Sequence, residues 1–504
     1  MNLKEIHKKN SIWIFSTHLS EGFPVTIMRT VLPIFLRDLH YSLETIGFTS
    51  LYNLPWILKF LWAPFIDRYS TKRQWVITSQ LTVSVLMFLV AVLIPLSFGI
   101  PGILIIFFIA AIVSSLFDAA VDGYYLKVLN HDEQAKFVGL RVLAYRIATV
   151  IVGGSIVTVG ATKGWSIAFI ILGIILSLLF TYHLLFLPYD KGVNTNIKQL
   201  FEKIIQLKSI VILIFLITAI IGMRNILNSH SSVLLEKYLS ILGKLKFSNV
   251  IGICLLLSLL IMFLFRTTIK NWLMNKSDSY YSRAFLSYID REDIIFILMF
   301  ITLFRFGEWI VTMVFPMFIV DLGIKIHYGW LLSLVGLPGL ILGTLFGGLM
   351  IYEYGLKRVV WPFVVLQNTS NLLCLFLSYY LSGFIIINTG VANPDSIGIS
   401  NLVLVAVTMI FEQFASGLGT AIFMTFLMRL CLSEFSATHY AIGTSLMNVC
   451  GVFASIVGSY CAGSLGYTWV FGISFFASLP AMMLIPFLTI FKENRRLHAK
   501  TLSV

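Results

Sequence analysis

Charge is what this chain has least of. Asp, Glu, Lys and Arg make up only 12% of its 504 residues, against about a quarter in a soluble protein. Hydrophobic residues make up 58%, for a mean hydropathy of +0.92. A water-soluble chain is thereby excluded. The apolar runs reach about 20 residues, the length of a spanning helix, and lack the alternating polarity of barrel strands. Acid is scarcer than base, with 23 Asp and Glu against 36 Lys and Arg. The basic residues sit in short loops between apolar runs, where the positive-inside rule places them, so no nucleic-acid-binding face is expected. Cysteine is scarce too: Cys254, Cys374, Cys431, Cys450 and Cys461 lie in or beside apolar segments without metal-ligand spacing. His18, His183, His230 and His327 are isolated, and neither HExxH nor GxSxG occurs. No enzymatic activity, metal or cofactor is therefore expected.

What is there is a series of apolar segments. Six come first, at about 12–37, 44–66, 75–96, 101–127, 137–160 and 164–187. Lys4, Lys8 and Lys9 precede the first, which is too long for a cleavable leader and carries Glu21, Pro24 and Arg29. It is expected to be retained, with its N-terminus in the cytoplasm. Arg68, Lys72 and Arg73 follow the second segment, Lys127 and Lys136 the fourth, and Lys191 and Lys198 the sixth. The even-numbered ends, and both termini, therefore face the cytoplasm. Ile197, Leu200, Phe201 and Ile204 recur at helical spacing within 188–207, as in a surface helix. Two further apolar runs, 208–228 and 249–266, must by parity both span or both stay on the surface, and spanning as a pair is expected; the polar stretch 267–293 is expected in the cytoplasm. Six more segments run at about 294–321, 326–351, 359–382, 400–428, 435–462 and 466–491. The chain thus divides into a six-helix half, 1–190, a linker with two inserted helices, 191–293, and a second six-helix half, 294–504.

The halves repeat. PIFLRDL at 33–39 returns as PMFIVDL at 316–322, and Leu54–Pro55 returns as Leu337–Pro338 at the same offset. Lys72, Arg73 and Trp75 return as Lys357, Arg358 and Trp361 after a small gap. Two like-oriented six-helix halves are the parallel repeat of the major facilitator superfamily. The expected fold is an all-α polytopic membrane protein of that type, with two inserted helices and about 14 transmembrane helices in all.

Charges at membrane depth cost a few kcal/mol or more each, so they face a cavity or a partner. Here they fall on the first, fourth, seventh and tenth helices of a facilitator, which line its central pathway. Glu21 and Arg29 lie in the first, Asp118 and Asp122 in the fourth, Arg305 and Glu308 in the seventh, and Glu412 in the tenth. Asp118 and Asp122 are four apart and share a helix face. With Lys59, these groups are the expected substrate and proton-coupling residues. Lys59 and Arg29 are expected to meet an anionic substrate group or to neutralise nearby carboxylates. Arg141 and Arg146, at the start of the fifth helix, are expected to pair with the aspartates as a cytoplasmic gate. Asp67 and Arg68 are expected to latch helices 2 and 3. Tyr124, Tyr125, Trp309 and Gln413 on the pathway helices suit an amphipathic organic solute.

The run GFPVTIMRTVLPIFLRDLHYSLETIGFTSLYNLPWILKFLWAPFIDRY at 22–69 resembles the start of AmpG-type muropeptide permeases and the related acetyl-coenzyme A transporters. FDAAVDGYYLKVL at 117–129 resembles their fourth-helix motif, with two acidic residues four apart, and YRIATVIVGG at 145–154 their fifth helix. The likeness covers roughly the first 190 residues. It implies a monomeric carrier of the bacterial inner membrane that imports anhydro-muropeptides with protons. The family's acidic pair falls on Asp118 and Asp122, and its Lys–Asp–Arg signature on Lys59, Asp67 and Arg68. The second half departs from the pattern, and import of a ferric siderophore on the same fold is the alternative.

Overall fold

The computed structural model describes residues 3–39, 52–96, 99–190, 279–291, 293–324, 327, 330–385 and 397–491, with single positions at 268, 271 and 274. The expected inserted helices at 208–228 and 249–266, and the surface helix from 191 onward, lie outside these residues. Every regular element described is helical.

In the first half, α1 runs Leu3–Thr26, passes a wide turn at Ile27–Val31 and continues as Leu32–Asp38. Helix α2 is broken into Leu54–Ile57, a tight turn at Lys59–Leu61, and Ala63–Arg68. Then come α3 (Lys72–Leu93), α4 (Gly99–Val128), α5 (His131–Val150, a wide turn at Ile151–Ile156, then Val157–Lys163) and α6 (Trp165–Phe186). A short helix, α7 (Tyr280–Ile289), stands before the second half. That half comprises α8 (Ile294–Leu303 and Phe306–Asp321), α9 (a wide turn at Leu331–Gly336, then Leu337–Tyr354), α10 (Leu356–Tyr380), α11 (Gly398–Arg429), α12 (Ser436–Leu465) and α13 (Tyr467–Leu484). Eleven of these helices are long and apolar enough to cross a membrane.

Local sequence accounts for the interruptions in α1, α2 and α9. Proline removes one backbone hydrogen bond and crowds the carbonyl four residues back. The wide turns before Pro33 and Pro338 absorb that crowding. Pro55 and Pro64 each sit in the first turn of a piece of α2, where the missing N–H costs nothing. Reciprocal side-chain caps start α3 (Thr71 with Gln74) and α5 (Asn130 with Glu133). The α5–α6 and α12–α13 turns pass through Gly164 (φ 98°) and Gly466 (φ 83°), a region that glycine enters without strain.

The repeat is visible in contacts as well as letters. Trp165, first in α6, donates its Nε1–H to Asp38 Oδ2 at 2.7 Å. Tyr467, first in α13, donates its hydroxyl to Asp321. Asp38 and Asp321 are the paired aspartates of the repeated motif.

The buried apolar side chains form three clusters. One joins both halves, including Phe117, Phe137 and Val138 with Phe300, Phe423 and Phe426. It lies at the end where Lys72, Arg73, Lys127, Lys357 and Arg358 collect, hereafter the basic end. A second, around Phe35, Phe107 and Phe169, belongs to the first half alone. A third, around Phe315, Phe318 and Phe471, belongs to the second half alone. The halves are therefore fused at the basic end and separate at the other. Glycines make the fused contact close: a Cβ on Gly139 of α5 would lie 2.4 Å from Leu345 Cα of α9, and one on Gly348 would lie 2.6 Å from Ala135 O. At the far ends of α5 and α9, Gly154 has nothing within 4 Å of such a Cβ, and Leu334 is 72% exposed. Helix α7, within the polar stretch 267–293, bridges the halves at the basic end. Its Tyr281 ring packs against Phe65 of α2, and its Tyr280 hydroxyl donates to Glu434 O.

Candidate functional site

Above the fused contact, between the halves, lies a cavity of about 340 Å³. Nine of the residues singled out by charge line it: Glu21, Arg29, Lys59, Asp118, Asp122, Arg141, Arg146, Arg305 and Glu308. Glu412, Asp67 and Arg68 do not.

The wall of the first half carries a paired cluster. Helix α4 holds Asp118 and Asp122 one turn apart. The break in α2 brings in Lys59, which donates to Asp118 Oδ2 at 2.5 Å and to Asp122 Oδ2 at 3.4 Å. Arg141 of α5 pairs with the other oxygen of Asp122. Its guanidinium also lies 4.5 Å from the ring centre of Tyr125 and 5.6 Å from that of Tyr440 across the interface. Glu21 stands beside this cluster. Its buried Oε2 has no hydrogen-bond partner among the described residues, and His18 Nε2 is 3.9 Å away. Arg29 donates to Asn53 Oδ1 at 2.7 Å. Arg146 faces the cavity and, among the described residues, makes no ion pair with Asp118 or Asp122. Of the two arginines expected to meet the aspartates, only Arg141 does so.

The wall of the second half is built differently. Helix α8 is interrupted just before Phe306, and Arg305 at the break reaches forward to clamp Glu308 in the next turn with two N–H groups of its guanidinium. Glu308 also accepts from Gln367 of α10 at 2.9 Å and from Ser416 of α11 at 2.5 Å. Three helices thus fix one carboxylate, as a charge at this depth requires. Glu412 is buried away from the cavity and accepts from Gln413 at 2.7 Å; Gln413 is the cavity-lining neighbour. The rest of this wall is uncharged, with Trp309, Thr312, Thr444 and Asn448 facing in. Gly451 makes room for the Trp309 indole, whose Cε2 would stand 2.9 Å from an added Cβ.

At the basic end, Asp67 does more than join α2 to α3. It pairs with Lys72 at 2.9 Å, with both side chains almost wholly buried. It also accepts from Thr438 N at 2.8 Å, Thr438 Oγ1 at 2.6 Å and Ala437 N at 3.1 Å. A carboxylate of one half therefore caps the first turn of α12 in the other. Arg68 is exposed, with its guanidinium over the Tyr69 ring.

Of the uncharged residues named from the sequence, Trp309 and Gln413 line the cavity, but others escaped that reading. Gln367, Ser416 and Thr438 hold the key carboxylates, and Trp56 lines the cavity with its buried Nε1 unpartnered among the described residues. Polar residues inside apolar helices are the only signal that could have found them. Conversely, Tyr124 and Tyr125, expected on the pathway, are packed and satisfied. Each is 0% exposed, and they donate to Pro188 O and Gln134 O, both at 2.6 Å.

This arrangement has relatives. The family profile described as Major Facilitator Superfamily matches residues 14–286, more than half of the chain. An uncharacterized protein of Haemophilus influenzae is 23% identical, with 97% of this chain and 96% of that one covered. A protein of Rickettsia felis named putative transporter AmpG 4 is 21% identical, covering 94% and 95%. The anhydromuropeptide permease of Escherichia coli K12 is 22% identical, covering 92% of this chain and 77% of that one. The fold matches that of the proton:xylose symporter XylE, with a TM-score of 0.58 at 12% identity over 96% of each chain. These names give no support to the siderophore alternative. Eleven candidate spans, a repeated six-helix half and a full-length fold match converge: the chain belongs to the Major Facilitator Superfamily, as a multi-pass secondary transporter similar to those named AmpG.

Proposed function

We propose that the chain imports a bulky organic solute, an anhydro-muropeptide, across the bacterial inner membrane by alternating access, together with protons. Residues 1–190 and 294–504 are the two moving halves, 191–293 is the linker, and the protein works as a monomer with both termini in the cytoplasm. The basic end is then the cytoplasmic end, and the cavity faces outward, where solute enters. The observation that carries this reading is the bipolar cavity. One wall holds most of the fixed charges; the other, apart from the clamped Arg305–Glu308 pair, holds uncharged hydrogen-bonding groups and an indole, and such a pair of walls suits a solute with ionised and sugar-like parts. Glu21, Asp118, Asp122 and Glu308 are the carboxylates that exchange protons as the halves rock, with Glu412 behind them; Lys59, Arg141 and Arg305 set their charge, and Arg29 and Arg146 face the solute. Asp67 and Arg68 act at the cytoplasmic gate.

The test is uptake of labelled anhydro-muropeptide by proteoliposomes under an imposed proton gradient, acid outside. Accumulation that collapses with an uncoupler is expected. Uptake indifferent to the uncoupler overturns the coupling, and no uptake of muropeptide overturns the solute.

A further inference from the structure

The cavity contains more fixed positive charge than its carboxylates use. Five cationic side chains, Arg29, Lys59, Arg141, Arg146 and Arg305, face it with four carboxylates, Glu21, Asp118, Asp122 and Glu308. Lys59 and Arg141 are spent on the two aspartates, and Arg305 on Glu308. Arg29 and Arg146 remain. Arg29 donates to the neutral amide of Asn53, and Arg146 lies within electrostatic reach of two like charges, Arg305 and Arg29, as well as of Glu308, which Arg305 already clamps. Neither has an ion pair among the described residues.

A guanidinium at membrane depth is costly without a counter-charge, and it binds planar oxyanions through paired N–H donors. Neutralising the cavity's own acids does not explain these two arginines: Glu21 is the carboxylate without a cationic partner apart from His18, and neither arginine is paired with it. Position points the same way. Arg146 is five residues along α5 from Arg141, hence roughly 7 Å further from the basic end. Arg29 lies two turns beyond Glu21 on α1 and is exposed. An entering solute meets this pair before it meets the neutralised Lys59–Asp118–Asp122–Arg141 cluster beneath.

We infer that Arg29 and Arg146 form an anion subsite on the first half's wall, which selects solutes carrying a carboxylate and leaves their neutral end facing Trp309 and Asn448. The assignment rests on the transporter reading and adds to it which chemical group is recognised, where, and in which orientation.

The experiment has two arms on the full-length protein in nanodiscs. The first measures binding of an anhydro-disaccharide tripeptide and of the same compound with its carboxylates converted to carboxamides. The wild type is expected to prefer the carboxylate form about tenfold or more, a factor in keeping with a charge-assisted bidentate contact. The Arg29→Gln/Arg146→Gln variant is expected to bind both alike, and Arg29→Lys/Arg146→Lys to keep part of the preference. Equal binding of both compounds by the wild type, or a preference the glutamine variant retains, overturns the subsite while leaving muropeptide transport standing. The second arm needs no substrate. The part of the fluorescence lost in Trp309→Phe is quenched with iodide, an anion, and with neutral acrylamide. The glutamine variant is expected to halve the iodide quenching and leave acrylamide quenching unchanged, which also reports an intact cavity. If neither compound binds, the solute reading fails and this arm still decides: iodide quenching equal in wild type and variant overturns the subsite. Should the double variant not fold, Arg146→Gln alone is judged by the same measurements.

Discussion

The carboxylate of Asp67, at the foot of the first half's broken helix, caps the second half's helix α12 through Thr438, accepting both its backbone N–H and its hydroxyl. This is a bond between halves, made only while the basic end is closed. The helix N-terminus favours a negative charge, and Lys72 compensates it from behind. Asp67→Asn keeps the shape and removes the charge. It leaves the buried Lys72 ammonium without its partner and weakens three hydrogen bonds, a loss on the order of 2–4 kcal/mol for the closed basic end. Spin labels on the loops after α2 and α12's first turn are expected to report a longer distance, with a larger open population. An unchanged distance distribution would show that the cap contributes little to closure.

Closure also depends on how near α5 and α9 come. Gly139 tolerates no side chain there, because its Cβ would fall 2.4 Å from the backbone of Leu345. Backbone cannot yield as a flexible side chain does, so Gly139→Val is expected to force the halves apart at the basic end. Solute binding at the cavity should persist, while the return step fails and uptake falls about tenfold or more, since only the transition between states is lost. Thiol-reagent labelling of a cysteine introduced at Leu345 should rise in the same variant. Uptake within twofold of the wild type would mean that the observed contact is dispensable.

Glu308 and Glu412 look alike in the sequence, two carboxylates at similar depth in pathway helices. Their surroundings separate them. Glu308 faces the cavity and is held by Arg305, Gln367 and Ser416, whereas Glu412 is buried behind Gln413. Glu308→Gln removes a charge that balances Arg305 and is expected to lower the initial uptake rate by a factor of ten or more, on the order of 1.4 kcal/mol or above. Glu412→Gln is expected to stay within about threefold. Initial rates in proteoliposomes under a fixed proton gradient decide this. The reverse order would place the coupling group behind the wall instead of on it.

The legible part of this molecule is the part written along one strand of sequence. A spanning helix announces itself by its length of apolar residues, so the segments drawn from 294–321 onward fall close to helices α8 to α13. A buried charge announces itself by its cost, which is why nine of twelve residues chosen by charge line the cavity. What depends on a partner far along the chain carries no such mark. Nothing near Asp67 points to Thr438, 371 residues away. Tyr125 shares the face of Asp118 and Asp122 on α4, yet it lies nearer the basic end, covered by Trp13 and Arg141. The polar composition of 267–293 hid α7, a helix whose apolar side is used to touch both halves instead of lipid.

The repeated aspartates make the last prediction, because they separate architecture from transport. Asp38 and Asp321 each end the first helix of their half, and each accepts from an aromatic residue that opens the half's last helix, Trp165 or Tyr467. Both bonds lie at the end where the halves are separate, and neither Asp38 nor Asp321 lines the cavity. Trp165 is 6% exposed, packed against Gly160, Phe35 and Phe169, so its ring as well as its N–H is used. Trp165→Phe should therefore cost more than Tyr467→Phe, which removes a hydroxyl and little else. A hydrogen bond to a carboxylate contributes about 1.5–3 kcal/mol, and the tryptophan adds lost packing to that. Both variants are expected to unfold at lower temperature in detergent, Trp165→Phe by the larger margin, with solute affinity within about twofold of the wild type. Lost solute affinity at unchanged melting temperature would mean that these aspartates belong to the pathway instead of to the frame.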